Sequence, residues 1–235
     1  MKNFMKVSQR ILLAASMACS DFRCLEKTIK ILEKANVNIL HFDFCDGHFA
    51  PTFQFSPMIL KSIRPITNLT FDVHLYCNYP SRYLKEIKEC GADVVVVHIE
   101  SKDDYRNTVR AINRLGLRAG IGVLPKTTIP EDIEKIFPHI SLIVVNTVGP
   151  AFSGQEFNKK GLDNIVYLKE KVDKQKHEID IAADGGVNIK TLKILLESGV
   201  NILTCGSTSI FRNNQVYEDG IKMIRKEISN YSKNN

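Results

Sequence analysis

The sequence predicts a single α/β barrel: short apolar runs alternate eight times with stretches of helical period, and no Pro/Gly/Ser-rich linker divides them. A length of 235 residues suits that architecture, because barrels of eight strand–helix pairs commonly take about 250 residues as one unit. The competing arrangement is an open, doubly wound sheet. It usually has fewer strands and a glycine-rich phosphate loop after the first, whereas the segment after the first strand here, SMACSDF, has no glycine.

Taken in order, a basic extension over 1–10 leads into a first strand at 11–15 (ILLAA), and a helix at 23–35 follows. In that helix Leu25, Ile29, Ile31 and Leu32 show the helical spacing. The remaining strands are expected at 37–43, 70–75, 93–98, 118–123, 141–147, 178–183 and 201–205. Amphipathic helices are expected at 56–63, 80–89, 102–114, 129–136, 159–173, 188–198 and 214–230, so the barrel runs over 11–230 and leaves a polar tail at 231–235. Gly91, Gly116 and Gly199 each follow a helix and precede a strand, where a left-handed C-cap belongs.

Composition narrows the function. An apolar fraction of 44% supports a sizeable core, and the formal charge of +6 comes from lysines and arginines interleaved with acids, as in KEKVDKQKHE. No basic stripe with aromatic partners appears, so a nucleic-acid partner is not expected, while a mild positive excess favours capture of a phosphorylated anion. The six cysteines (19, 24, 45, 77, 90, 205) show no CxxC and no disulfide-scaffold spacing, which predicts a reduced, cytoplasmic chain. The N-terminus (basic MKNFMKVSQR, then apolar ILLAASMA before Cys19) superficially resembles a secretory or lipoprotein signal. The apolar stretch is short, Ser16 stands where a lipobox prefers Leu, and cleavage would remove a strand the fold needs. No stretch approaches the ~20 apolar residues of a membrane span, so no membrane partner is expected.

Barrel enzymes place their sites at the C-terminal ends of strands, and the polar residues gather there. His41 and Asp43 lie two apart at the end of the second strand and share one face. His74 closes the third strand and Asp184 the seventh. Any one of them could be an isolated hydrogen-bonded group, but two imidazoles and two carboxylates converging at one end form a ligand set for a divalent metal such as Zn²⁺, Fe²⁺ or Mn²⁺. Gly185-Gly186 after the seventh strand and Gly206-Ser207 after the eighth read as a phosphate cradle, the usual anion site of such barrels. The loop GPAFSGQEF (149–157) after the sixth strand could fold over the ligand as a lid.

The segments ASMACSDF (15–22), HFDFCDGHFAP (41–51), FDVHL (71–75), ADGGV (183–187) and CGSTSIF (205–211) resemble the signatures of the ribulose-phosphate 3-epimerase family, from about Ile11 to about Ile224. The resemblance implies an isomerase of the pentose phosphate pathway on a (β/α)8 TIM barrel of the ribulose-phosphate-binding type, with a homo-oligomeric assembly. It implies one divalent metal ion per subunit (Zn, Fe(II), Mn or Co) held by His41, Asp43, His74 and Asp184. Asp43 would remove the C3 proton of a phosphorylated ketose and Asp184 would return one from the opposite face, through a 2,3-enediolate that the metal stabilises. Ser16, His41, His74 and Asp184 would contact the substrate, and backbone groups of Ala151, Phe152, Ser153, Gly154, Gly185, Gly186, Gly206 and Ser207 would contact substrate and phosphate.

The chain also departs from that pattern. The family's pocket methionines are replaced by Cys45, Tyr76 and Asn146, and strand parity turns Cys45 and Tyr76 toward the cavity. A soft apolar roof therefore becomes more polar. Ala182 stands where the family carries a glutamate on the inward face beside Asp184, NPGFGGQ has become GPAFSGQ, and a pocket-side Asn is Leu124. Every implied metal ligand is kept. The reaction expected is interconversion of D-ribulose 5-phosphate and D-xylulose 5-phosphate; the alternatives are 3-epimerisation of another ketose phosphate, such as allulose 6-phosphate or a tetrulose phosphate, or a non-catalytic sugar-phosphate-binding barrel. A related decarboxylase would carry a DxKxxD pattern, and His41 to His48 contains no lysine.

Overall fold

A computed structural model describes residues 10–150, 155–175 and 177–234. Eight parallel strands form the barrel: β1 (Leu12–Ser16), β2 (Ile39–Asp46), β3 (Thr70–Tyr76), β4 (Val94–His98), β5 (Arg118–Val123), β6 (Leu142–Asn146), β7 (Asp180–Asp184) and β8 (Ile202–Cys205). β1 pairs with β8 on one side and with β2 on the other, which closes the ring. The helices are α1 (Leu25–Lys34), α2 (Pro57–Ile63), α3 (Leu84–Glu89), α4 (Tyr105–Arg114), α5 (Lys159–Gln175), α6 (Leu192–Glu197) and α7 (Glu218–Asn234). All eight expected strands are present, each within about three residues of its place.

Strand alternation builds two cores. Residues pointing outward, such as Leu13, Phe42, Val73, Val97 and Val145, are fully or almost fully buried under the helices. Residues pointing inward fill the barrel base with small and branched side chains: Ala14, Ile39, Val96, Val144, Ala182 and Ile202. One step further along the same inward rows the chain becomes polar, at Ser16, His41, His74, Asn146 and Asp184. The interior is thus dry at the base and chemically equipped at the mouth. Gly91, Gly116 and Gly199 take the left-handed conformation (φ 98°, 74° and 96°), as their places in the sequence predict.

Two expectations are corrected and one element is added. The helix expected at 129–136 is a 3₁₀ run, Ile133–His139, with Pro138 inside it; proline has no N–H to continue an α-helical ladder there. Residues 231–234 belong to α7 rather than to a tail, and the Tyr231 hydroxyl donates to the Leu196 carbonyl at 3.3 Å. A short strand, Phe53–Gln54, which the sequence pattern did not suggest, folds back antiparallel on Cys45 and Asp46 at the barrel mouth. The expected N-terminal extension falls outside the described residues apart from Arg10. Among the described residues no helix is long and apolar enough to cross a membrane.

Candidate metal centre and phosphate cradle

Register brings the polar residues together. Asp43 on β2 stands opposite His74 on β3, His41 opposite Asp72, and Asn146 on β6 opposite Asp184 on β7. One ligand atom from each of His41, Asp43, His74 and Asp184 lies within 4.8 Å of the others, and His41 and His74 are wholly buried. His74 Nδ1 is 3.6 Å from Asp43 and 3.8 Å from Asp184, and it has no hydrogen-bond partner.

Partners behind the two imidazoles decide which nitrogens carry protons. His41 Nδ1 lies 2.8 Å from Asp72, whose carboxylate can only accept, so that nitrogen is a donor and Nε2 faces Asp43 at 3.0 Å. Behind His74 stands His98, with the two Nε2 atoms 2.8 Å apart, and behind His98 stands Glu100, 2.9 Å from Nδ1. The His74 and His98 rings are nearly parallel (10°) with centroids 4.8 Å apart. Parallel planes with so short an N···N distance must meet edge to edge rather than face to face.

The electrostatics follow from burial and from this crowding. Burial would depress the His41 imidazolium, but Asp43 and Asp72 outweigh it and raise its pKa well above the ordinary value. His74 goes the other way: burial, His98 and His41 hold it well below the usual histidine range. It is therefore neutral, as an imidazole must be to bind a cation. Burial and the charge of Asp43 push the Asp184 carboxyl up to about 6, partly offset by His41 and by a hydrogen bond from Tyr76. An unpartnered imidazole nitrogen facing two carboxylates in a buried place suits a cation, and two imidazoles with two carboxylates could hold a borderline divalent metal.

Over this centre lies the altered roof. The Tyr76 hydroxyl donates to Asp184 Oδ2 at 3.0 Å, and the Asn146 amide donates to the same oxygen at 3.0 Å and to the Tyr76 hydroxyl at 2.7 Å. Burial and the two carboxylates raise the Tyr76 phenol well above its ordinary pKa, so it stays a donor. The centre opens on a cleft of about 320 Å³. Asp43, Asp184 and Ser16 line it together with Gly185, Gly186, Gly206 and Ser207 of the cradle.

The cradle's geometry accounts for its glycines at two positions. Gly185 has φ 97°, and a Cβ there would lie 2.2 Å from a Val148 methyl. Gly206 lies against Cys19, whose sulfur would be 3.2 Å from a Cβ, while its carbonyl accepts from Ser209, Ile210 and Phe211, each at 3.1 Å.

The structure thus gathers His41, Asp43, His74, Asp184, Ser16, Tyr76, Asn146 and the two glycine pairs. Cys45 is buried but does not line the cleft, and Ala182 sits lower, in the apolar barrel base. Ala151, Phe152, Ser153 and Gly154 lie outside the described residues. Asp72, His98 and Glu100 were not singled out by sequence reasoning. Parity alone would have flagged the first, two residues before His74 on the same face, and His98 ends its strand as His74 nearly ends its own.

Fold and site define a (β/α)8 barrel whose buried centre of two histidines and two aspartates could hold a metal ion beside a glycine-lined cleft. Solved structures support the fold alone: phosphoribosyl anthranilate isomerase from Thermus thermophilus superposes with a TM-score of 0.67 at 10% identity, covering 94% of this chain and 100% of that one. KGPDC from Streptococcus mutans gives 0.66 at 14% identity, covering 94% and 98%. Sequence relationships go further. The model of the ribulose-phosphate 3 epimerase family matches residues 12–211. A ribulose-phosphate 3-epimerase of Bacillus subtilis (strain 168) is 37% identical over 84% of this chain and 91% of its own length. Another, from Synechocystis sp., is 33% identical over 93% and 95%. This chain belongs to the ribulose-phosphate 3-epimerase family, and is accordingly an isomerase of the kind that epimerises carbohydrates.

Proposed function

We propose that the protein interconverts D-ribulose 5-phosphate and D-xylulose 5-phosphate, as a cytoplasmic enzyme of the pentose phosphate pathway. The observation that carries this reading is the placing of two carboxylates, Asp43 from β2 and Asp184 from β7, on the same cleft beside a glycine cradle. Asp43 accepts the C3 proton of the bound ketose, and Asp184 delivers a proton to the opposite face, so the centre inverts; in the reverse direction the roles exchange. A carboxyl pushed up to about 6 suits a group that must hold and release a proton near neutral pH. His41, Asp43, His74 and Asp184 would hold one divalent ion per chain (Zn, Fe(II), Mn or Co), which when bound supplies Lewis-acid stabilisation of the charge developing on the substrate's oxygens. Ser16 and backbone groups of Gly185, Gly186, Gly206 and Ser207 orient the sugar and its phosphate.

The polar roof favours a second reading, in which the substrate is another ketose phosphate such as allulose 6-phosphate or a tetrulose phosphate. Tyr76 and Asn146 present hydrogen-bonding groups where a soft apolar contact is the family's habit, and hydroxyl-bearing substrates differ in how they meet such groups. Incorporation of solvent deuterium at C3 across a panel of ketose phosphates, with metal analysis of the purified protein, separates these readings. Fastest exchange on ribulose 5-phosphate supports the first, and binding without exchange of any ketose sinks both. A homo-oligomer is part of the proposal: Phe22, Phe53 and Met58, exposed by 54%, 83% and 60%, offer an apolar contact that light scattering would test.

A further inference from the structure

Gly122 on β5 leaves the room in which His74 and His98 meet: a Cβ there would lie 2.9 Å from His74 Nε2 and 3.0 Å from His98 Nε2. Beyond them Glu100 is fixed from the other side. Its Oε1 accepts from the Leu124 backbone N–H at 2.7 Å and from the Thr127 hydroxyl, while Oε2 faces His98 Nδ1 at 2.9 Å. The Glu100 carboxylate has only lone pairs to offer, and with Oε1 taken by the Leu124 N–H and the Thr127 hydroxyl it is Oε2 that meets His98. Glu100 must accept from His98 Nδ1–H. With the His98 ring proton given to Glu100, its lone pair stands on Nε2, and across the 2.8 Å contact it accepts from His74 Nε2–H. His74 is left with its lone pair on Nδ1, the nitrogen that faces Asp43 and Asp184.

We propose that His98 and Glu100 are positioning residues for the metal centre: anchored by the Leu124 N–H, they impose through two hydrogen bonds the His74 tautomer that can donate to a cation. This rests on reading His41, Asp43, His74 and Asp184 as metal ligands. His41 reaches the same end with one carboxylate, Asp72, directly behind it; His74 does so through a second imidazole.

Reversing the chain's polarity without changing its shape is the test. In Glu100→Gln the Leu124 N–H holds the amide oxygen, so the amide NH₂ turns to His98 Nδ1. His98 then carries its proton on Nε2, and His74 is driven to the tautomer protonated on Nδ1. Glu100→Ala removes the carboxylate and imposes neither direction. Zn²⁺ binding to each apoprotein, measured by competition with a chromophoric chelator, should weaken about 10- to 100-fold in Glu100→Gln and by less in Glu100→Ala. A purely structural role would give the opposite order, since Gln is the closer replacement. Imidazole ¹⁵N correlation spectra of the wild-type apoprotein should show His74 protonated on Nε2, and those of Glu100→Gln should show it on Nδ1. Wild-type Zn²⁺ affinity retained by Glu100→Gln, Ala weaker than Gln, or a wild-type His74 protonated on Nδ1 each overturns the proposal. If the wild-type protein binds no Zn²⁺ and none of the other three metals, the ligand reading itself fails. The tautomer spectra report on the relay separately.

Discussion

The floor and the roof of the cleft hold their polar groups in different ways. On the floor, His41 and His74 are fully buried, and each is backed by a chain of donors and acceptors ending at a carboxylate, Asp72 or Glu100. On the roof, Tyr76 and Asn146 bond to one another and to a single oxygen of Asp184, and Asn146 Oδ1, although buried, has no partner. The floor's open atom at the cleft, His74 Nδ1, faces two carboxylates and suits a cation, whereas the roof's open atom is an amide oxygen that leaves a bond for a substrate to make. Under the proposed function the difference has a meaning: the floor would carry the reaction, and the roof, with its open amide oxygen, would bear on the choice of substrate.

The largest effect that would break this division is loss of either carboxylate proposed to handle the C3 proton. Asp43→Asn or Asp184→Asn keeps shape but removes a base, and C3 deuterium exchange should fall on the order of 10³-fold with the fold intact by circular dichroism. Exchange retained at wild-type rates would sink the acid–base assignment. Next comes Gly122→Ala, which adds a methyl within 3.0 Å of the His74–His98 contact. Forced apart, the rings should lose about 10- to 100-fold in Zn²⁺ affinity, with about 1–3 kcal/mol of stability lost to overpacking, read by thermal melting.

The roof should respond differently. Replacing Tyr76 and Asn146 together by methionine removes both donors to Asp184 Oδ2 and should shift the ratio of kcat/KM between five- and six-carbon ketose phosphates by about 10-fold. Zn²⁺ affinity should move less than that, because His41 and His74 keep their backing. A change confined to Zn²⁺ affinity, with the substrate ratio fixed, would erase the distinction between the two halves.

Much of the floor was legible in the sequence, and the reason is geometric. Period-two alternation places His41 with Asp43 on one face, and strand ends converge at a barrel's mouth, so the clustering of His41, Asp43, His74 and Asp184 follows from spacing and topology. Tyr76 was placed toward the cavity by the same parity, and it does line the cleft. Its bond to Asp184, 108 positions away, depends on ring closure and rotamer and could not be read from spacing. Glu100 was hidden for a related reason: it lies in the turn beyond β4, where alternation no longer says which way a side chain points. The 3₁₀ run at Ile133–His139 shows the limit for elements, since its apolar spacing suits either helix type.

The smallest expected effect belongs to Asp46, at the rim where floor and roof share a support. Its carboxylate accepts from the backbone N–H groups of His48 and Phe49 through Oδ1 and of Asn78 through Oδ2, each at 2.8 Å, and so ties the loop after β2 to the loop after β3. Burial alone would raise its pKa, but the three N–H donors prevail and hold it below the ordinary 3.8. A carboxyl depressed in the folded state binds its proton more weakly there than in the unfolded chain. Its contribution to stability is therefore complete at pH above that ordinary value and is lost as pH falls through the lower folded value. Asp46→Asn keeps an oxygen for His48 and Phe49 but turns an NH₂ against the Asn78 N–H, and should cost about 1–2 kcal/mol at neutral pH. As pH falls from about 4 through the lower folded value the gap between variant and wild type should narrow, because the unfolded chain takes up the proton first and the folded carboxyl follows. Denaturant titrations at neutral and acid pH measure both. A gap that widened on acidification would show that Asp46 is not held as an anion, and the loops bearing the two halves of the site would need another tie.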